Sequence, residues 1–89
     1  MEAAQKYAKA KKLHKEGRIS EAISAFQDCL KRDHKNVIYL FELGELYAEA
    51  GERDKAKKCF LEIEAVEPYS MYAKAAAERL DKIDDDRTT

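Results

Sequence analysis

The chain repeats itself at an offset of 34 residues. Set against itself at that spacing, Gly17 falls on Gly51, Ala22 on Ala56 and Phe26 on Phe60. At the same offset Tyr7 meets Phe41, Leu13 meets Tyr47, and Asn36 meets Ser70. The matches gather at turn residues, at small residues and at large apolar ones, which are the positions that fix backbone and packing. A period of roughly 20–50 residues marks stacked supersecondary units, each of which buries its apolar face only against its neighbours. A chain of 89 residues has room for two such units and a remainder.

Each unit reads as a pair of helices. From about Ala3 to Glu16, apolar residues recur at Ala3, Tyr7, Ala10 and Leu13, a period near that of the α-helix. Gly17-Arg18-Ile19 interrupts the pattern. Ser20 is then the expected cap of a second helix reaching about Arg32, with Ala22, Ile23, Phe26, Cys29 and Leu30 on one stripe. The second unit repeats the scheme, with a helix from Val37 to Ala50, a break at Gly51-Glu52-Arg53, a cap at Asp54 and a helix to about Val66. Pro68 cannot continue that helix and restrains Glu67 before it. Asn36 and Ser70 each suit the cap of the helix that follows them. The last helix is expected after Ser70, through about Ile83, with Ala73, Ala76, Ala77, Leu80 and Ile83 along one side. Asp84, Asp85 and Asp86 then oppose its dipole, and a tail over 85–89 is expected to fray. The domain expected is thus 1–84, divided into unit one at about 3–36, unit two at about 37–70 and a final helix at about 71–83.

The second unit reads Leu40-x2-Leu43-Gly44-x2-Tyr47, then Gly51, Ala56-x3-Phe60 and Pro68. This resembles the tetratricopeptide repeat pattern, with Leu40 where the family often has Trp. Gly44 and Ala56 are small where two helices would cross closely, Tyr47 and Phe60 fill the space around the crossing, and Gly51 permits the turn. The first unit keeps Leu13, Gly17, Ala22 and Phe26, but has Lys6, Lys9 and Ala10 at the early apolar and glycine positions and His34 in place of the proline. The resemblance covers roughly residues 3–70, and the final helix resembles the family's solvating C-terminal helix. It implies an all-α fold, a right-handed superhelical array of antiparallel helix pairs made of two hairpins and a fifth capping helix.

Composition narrows the function. Only nineteen residues are Leu, Ile, Val, Phe or Met, and fourteen are Ala, so the core is thin. Three Gly and one Pro are too few for a protein of short strands and hairpins. No apolar run approaches the roughly 20 residues of a membrane span. The N-terminal Met-Glu-Ala-Ala-Gln-Lys lacks a signal-peptide core, so a cytoplasmic location is the expectation. Cys29 and Cys59 are read as buried thiols, and neither they nor His14 and His34 have zinc-type spacing, so no metal or other cofactor is expected. No phosphate loop and no nucleophile–base arrangement is recognisable, which leaves a non-catalytic protein.

Members of the family resembled are binding scaffolds, and the resemblance implies a concave face lined by the first helix of each pair. By 34-residue equivalence, its rows are Ala4, Ile38 and Tyr72, then Tyr7, Phe41 and Ala75, then Lys11, Glu45 and Arg79, then His14, Ala48 and Lys82. The candidate groove residues are Tyr7, Lys11, Ile38, Phe41, Glu45, Tyr72 and Arg79. For Tyr7 and Phe41 two readings stand, groove anchor or packing between pairs; for Lys11, Glu45 and Arg79 a solvated face is the competing one. One subgroup of the family clamps a terminal carboxylate with Lys and Asn side chains. At those places this chain has Tyr7, Lys11, Glu42, Tyr72 and Ala76, where only Lys11 suits a carboxylate and Glu42 would repel it.

The expected partner is a protein or peptide. The net charge of −1 hides a division, for residues 1–36 carry +4 and residues 37–70 carry −4. The basic cluster Lys6, Lys9, Lys11, Lys12 and Lys15 wraps its helix and forms no stripe, which argues against a dedicated nucleic-acid surface. The opposed halves leave a second function open, a structural module that forms a homo-oligomer head to tail.

Overall fold

The computed structural model describes residues 2–88, with side-chain surroundings for residues 4–84. Five helices follow one another: α1 (Glu2–Lys15), α2 (Ile19–Arg32), α3 (Val37–Glu49), α4 (Arg53–Val66) and α5 (Met71–Thr88). No strand occurs among the described residues. Consecutive helices pack antiparallel, and α5 lies against α4 with a lesser contact to α3. The fold is therefore the all-α pair–pair–single arrangement that the repeat implies.

The two turns inside the pairs are built alike. Gly17 and Gly51 have φ of +79° and +81°, left-handed values that cost a side-chain-bearing residue far more. The Gly17 N–H donates to the His14 carbonyl and the Arg18 N–H to the Leu13 carbonyl, both at 3.0 Å. Gly51 and Glu52 make the same bonds to Ala48 and Tyr47, at 3.1 and 2.8 Å. This paired closure is a Schellman motif, which satisfies the last carbonyls of the first helix while reversing the chain.

That geometry overturns the caps expected at Ser20 and Asp54. The turn delivers the chain so abruptly that Arg18 and Glu52 are already the N-caps, and their carbonyls accept from Ala22 and Ala56 at 2.9 and 3.0 Å. Neither cap uses its side chain on the helix. Arg18 instead grips Glu21 through two hydrogen bonds of 3.0 and 2.7 Å, and Glu52 pairs with Lys55 at 2.9 Å.

The turns between units hold the caps that the sequence indicates. Asn36 Oδ1 accepts from the Ile38 and Tyr39 N–H groups at 2.9 and 3.2 Å, and its Nδ2 donates to Asp33 at 3.1 Å. Ser70 Oγ accepts from the Ala73 N–H at 3.1 Å while donating to the Glu67 carbonyl at 2.9 Å. An Asn36→Ala variant should lose about 0.5–2 kcal/mol, measured by thermal or denaturant unfolding.

The core follows the repeat. Phe26 and Phe60 are wholly buried, as are Ala22, Ala56, Leu46 and Ile63. A Cβ added to Gly44 would stand 2.7 Å from the Phe60 ring, so the α3–α4 crossing is as close as the residues at Gly44 and Ala56 suggest. Cys29 and Cys59 are buried free thiols, and burial pushes the Cys59 thiol up to about 11. The last helix differs from expectation. Its apolar side ends at Ile83, yet the helix continues to Thr88. Lys57 of α4 donates to Asp84 at 2.9 Å and tethers the first of the aspartates that oppose the dipole. Of the tail expected to fray, Thr89 lies outside the described residues.

Candidate binding groove

Direct contacts join the first helices of the pairs into one face. Between α3 and α5, Phe41 meets Tyr72 edge-on with centroids 6.0 Å apart, and Arg79 Nε donates to Glu45 at 2.6 Å. The Arg79 guanidinium also lies 5.6 Å above the Phe41 ring, within cation–π range, and the Glu45 bond raises its pKa further. Glu45, Phe41, Tyr72 and Arg79 thus form one compact cluster across two helices. Between α1 and α3, Tyr7 meets Tyr39 at 5.4 Å, and His14 Nε2 lies 3.0 Å from Glu49 Oε2. Lys11 sits 5.4 Å over the Tyr7 ring. Ile38 is 38% exposed on the same helix as Phe41.

The candidate residues therefore divide. Phe41, Glu45, Tyr72 and Arg79 come together, Tyr7 and Lys11 form a second group, and the charged row does not run continuously because Lys11 caps Tyr7 and leaves Glu45 to Arg79. Tyr7 packs edge-on against Phe26, and Phe41 against Phe60, at 6.0 and 5.7 Å. Both are half-buried on the core, so each ring has one side in the packing and another outward. Ala76, at one of the positions matched to the carboxylate clamp, is wholly buried and closed to any ligand.

Two further residues take part that the 34-residue rows do not contain. Tyr39 falls outside the rows drawn by equivalence, yet it receives the Tyr7 ring, and desolvation raises its phenol. Gln27 Nε2 donates to the Tyr47 hydroxyl at 2.7 Å and pins α2 to α3. The available signal was separation. Glu45 and Arg79 stand 34 residues apart and His14 and Glu49 stand 35 apart, the distances at which equivalent helices face each other.

The basic residues of α1 spread around it. Lys6 and Lys9 border a hollow between α1 and α2, whereas Lys11, Lys12 and Lys15 border another with His14 and Glu42. Among the described residues no group of three His, Cys, Asp or Glu is placed to hold a metal ion, and no helix is long and apolar enough to cross a membrane.

With five helices in register at a 34-residue offset, comparison with known families decides the assignment. The sequence model of the tetratricopeptide repeat family matches residues 13–80. The chain belongs to the tetratricopeptide repeat family. The match begins in α1, at the first residue that keeps the pattern, and runs into α5. No curated protein matches the chain. Repeats of this family serve protein–protein interaction, and the two pairs and extra helix of this chain are built to that plan.

Proposed function

We propose that the chain is a non-catalytic interaction module that takes a peptide or a partner's helix along the face formed by α1, α3 and α5. The supporting observation is the strip made by Ile38, Phe41 and Tyr72. Its apolar surface is partly exposed, its Phe41 ring is braced from behind by Phe60 and meets Tyr72 edge-on, and Arg79 and Glu45 hold one end in place. Side chains already fixed by packing lose little freedom on binding, so such a surface favours affinity over its modest area. In the right-handed superhelix that the family plan implies, this strip and Tyr7 with Lys11 lie on the inner side.

A displayed library of random peptides supplies the probe. Peptides selected on the whole chain should perturb amide resonances along α1, α3 and α5. Ile38→Asp should weaken their binding on the order of tenfold or more, by placing a charge in the apolar strip. Leu61→Asp, at an exposed position of α4, should leave affinity unchanged. Perturbations confined to α2 and α4 would refute the reading.

A further inference from the structure

The repeat places the same slot twice, and a neighbouring helix reaches into only one of the two. In the second pair, a hollow of about 450 Å³ has a floor of Leu40, Leu43 and Tyr47 from α3 and a wall of Cys59 and Glu62 from α4. The preceding helix α2 reaches into it through the bond from Gln27 to Tyr47. In the first pair, the residues 34 positions earlier line a hollow of about 480 Å³. Lys6, Lys9 and Leu13 stand where Leu40, Leu43 and Tyr47 do, and Ala25 and Asp28 stand where Cys59 and Glu62 do. Nothing in the described chain occupies this first slot. Its floor has exchanged two leucines for two lysines one helical turn apart on α1, and of the two acidic residues that also line it, Glu21 is held by Arg18 at 2.7 Å and Asp28 pairs with Lys31 at 3.6 Å.

The chain carries a helix face to suit it. On α5, Lys74, Glu78 and Asp81 are exposed at spacings that put them on one stripe. Glu78 and Asp81 are three residues apart, as Lys6 and Lys9 are, and none of the four forms an ion pair among the described residues.

We propose that α5 of one molecule seats in the α1–α2 slot of a second copy, with Glu78 and Asp81 against Lys6 and Lys9. The contact is head to tail, so every molecule offers one slot and one helix, and association produces open chains or closed rings. With a net charge of only −1 per molecule, no long-range repulsion opposes it. The slot is separate from the strip of Ile38, Phe41 and Tyr72, so the proposal does not depend on the peptide-binding reading.

Sedimentation equilibrium on the whole chain tests it. At low ionic strength the weight-average mass should rise above 10.2 kDa with concentration, and added salt should reverse the rise. A Lys6→Glu/Lys9→Glu variant and a Glu78→Lys/Asp81→Lys variant should each associate about tenfold more weakly or worse. Mixed in equal amounts, the two should associate again, because each then meets a partner of opposite sign. Circular dichroism on each variant shows that the loss is not unfolding, and Ile38→Asp should leave assembly intact. A monomer at every concentration in low salt overturns the proposal. So does assembly that survives both reversals, mixing that fails to restore it, or assembly that Ile38→Asp abolishes.

Discussion

Replacing Gly44 with leucine should lower stability by roughly 1–3 kcal/mol or more, and alanine should already be harmful. An exposed mid-helix glycine would gain about 1 kcal/mol on becoming alanine. Here the first added carbon lies 2.7 Å from Cε1 and 2.8 Å from Cζ of Phe60. That ring is wholly buried and also rests against Phe41 at 5.7 Å, so it has little freedom to move aside. The overlap therefore outweighs the helix-propensity gain. A double-mutant cycle separates the two effects. In a Phe60→Leu background the ring edge is gone, and Gly44→Ala should become neutral or stabilising. Urea unfolding of the four proteins gives the coupling directly. If Gly44→Ala were stabilising in the parent chain, the close crossing of α3 and α4 would be wrong.

The first pair shows why this position was readable and where reading had to stop. Ala10 stands 34 residues before Gly44 and is wholly buried in a chain that carries Phe26 at the place of Phe60. The repeat thus reports that a small residue faces a phenylalanine in both pairs, but not that one crossing accepts a methyl group and the other does not. The same holds for the turns. Gly17 and Gly51 announce left-handed backbone, while the step from that backbone straight into Arg18 and Glu52 as caps depends on the Schellman bonds, which pattern alone does not display. Ser20 and Asp54 are good capping types placed two residues too late.

On the candidate face, what could be read was the helix on which each residue stands. What could not be read was its pairing with the next helix. Phe41 and Tyr72 come from adjacent rows of the equivalence, offset by three residues, and only the packing of α5 on α3 brings them into contact. Glu45 and Arg79 share a row of the repeat with Lys11, and the structure joins the first two while Lys11 lies over Tyr7. Long polar side chains choose among several neighbours within reach, and a periodicity cannot make that choice. The α5 extension past Ile83 has the same origin, since its tether runs from Lys57, 27 residues away, to Asp84.

Phe60→Ala should be the most damaging single truncation. Removing a buried phenylalanine costs about 3–5 kcal/mol, from lost transfer energy and from the cavity left behind. A chain of this length has a total stability of only about 4–13 kcal/mol on the usual per-residue scale. The position within the array decides how the loss is felt. Units of a stacked repeat draw stability from their neighbours, so damage at an end frays that end while damage in the middle severs the stack. Phe26 joins α1 and α2, and its truncation should loosen the first pair while α3, α4 and α5 hold. Phe60 fills the α3–α4 crossing, and α3 and α4 also carry the contacts to α2 and α5. Its loss should lower the melting temperature by on the order of 20 °C, with all helices melting together. Hydrogen exchange distinguishes the two variants: Phe26→Ala should lose protection first in α1 and α2, whereas Phe60→Ala should lose it throughout. Protection that persisted in α3 and α4 of the Phe60 variant would mean that the second pair is held chiefly by α5, and the central role assigned to the crossing would fall.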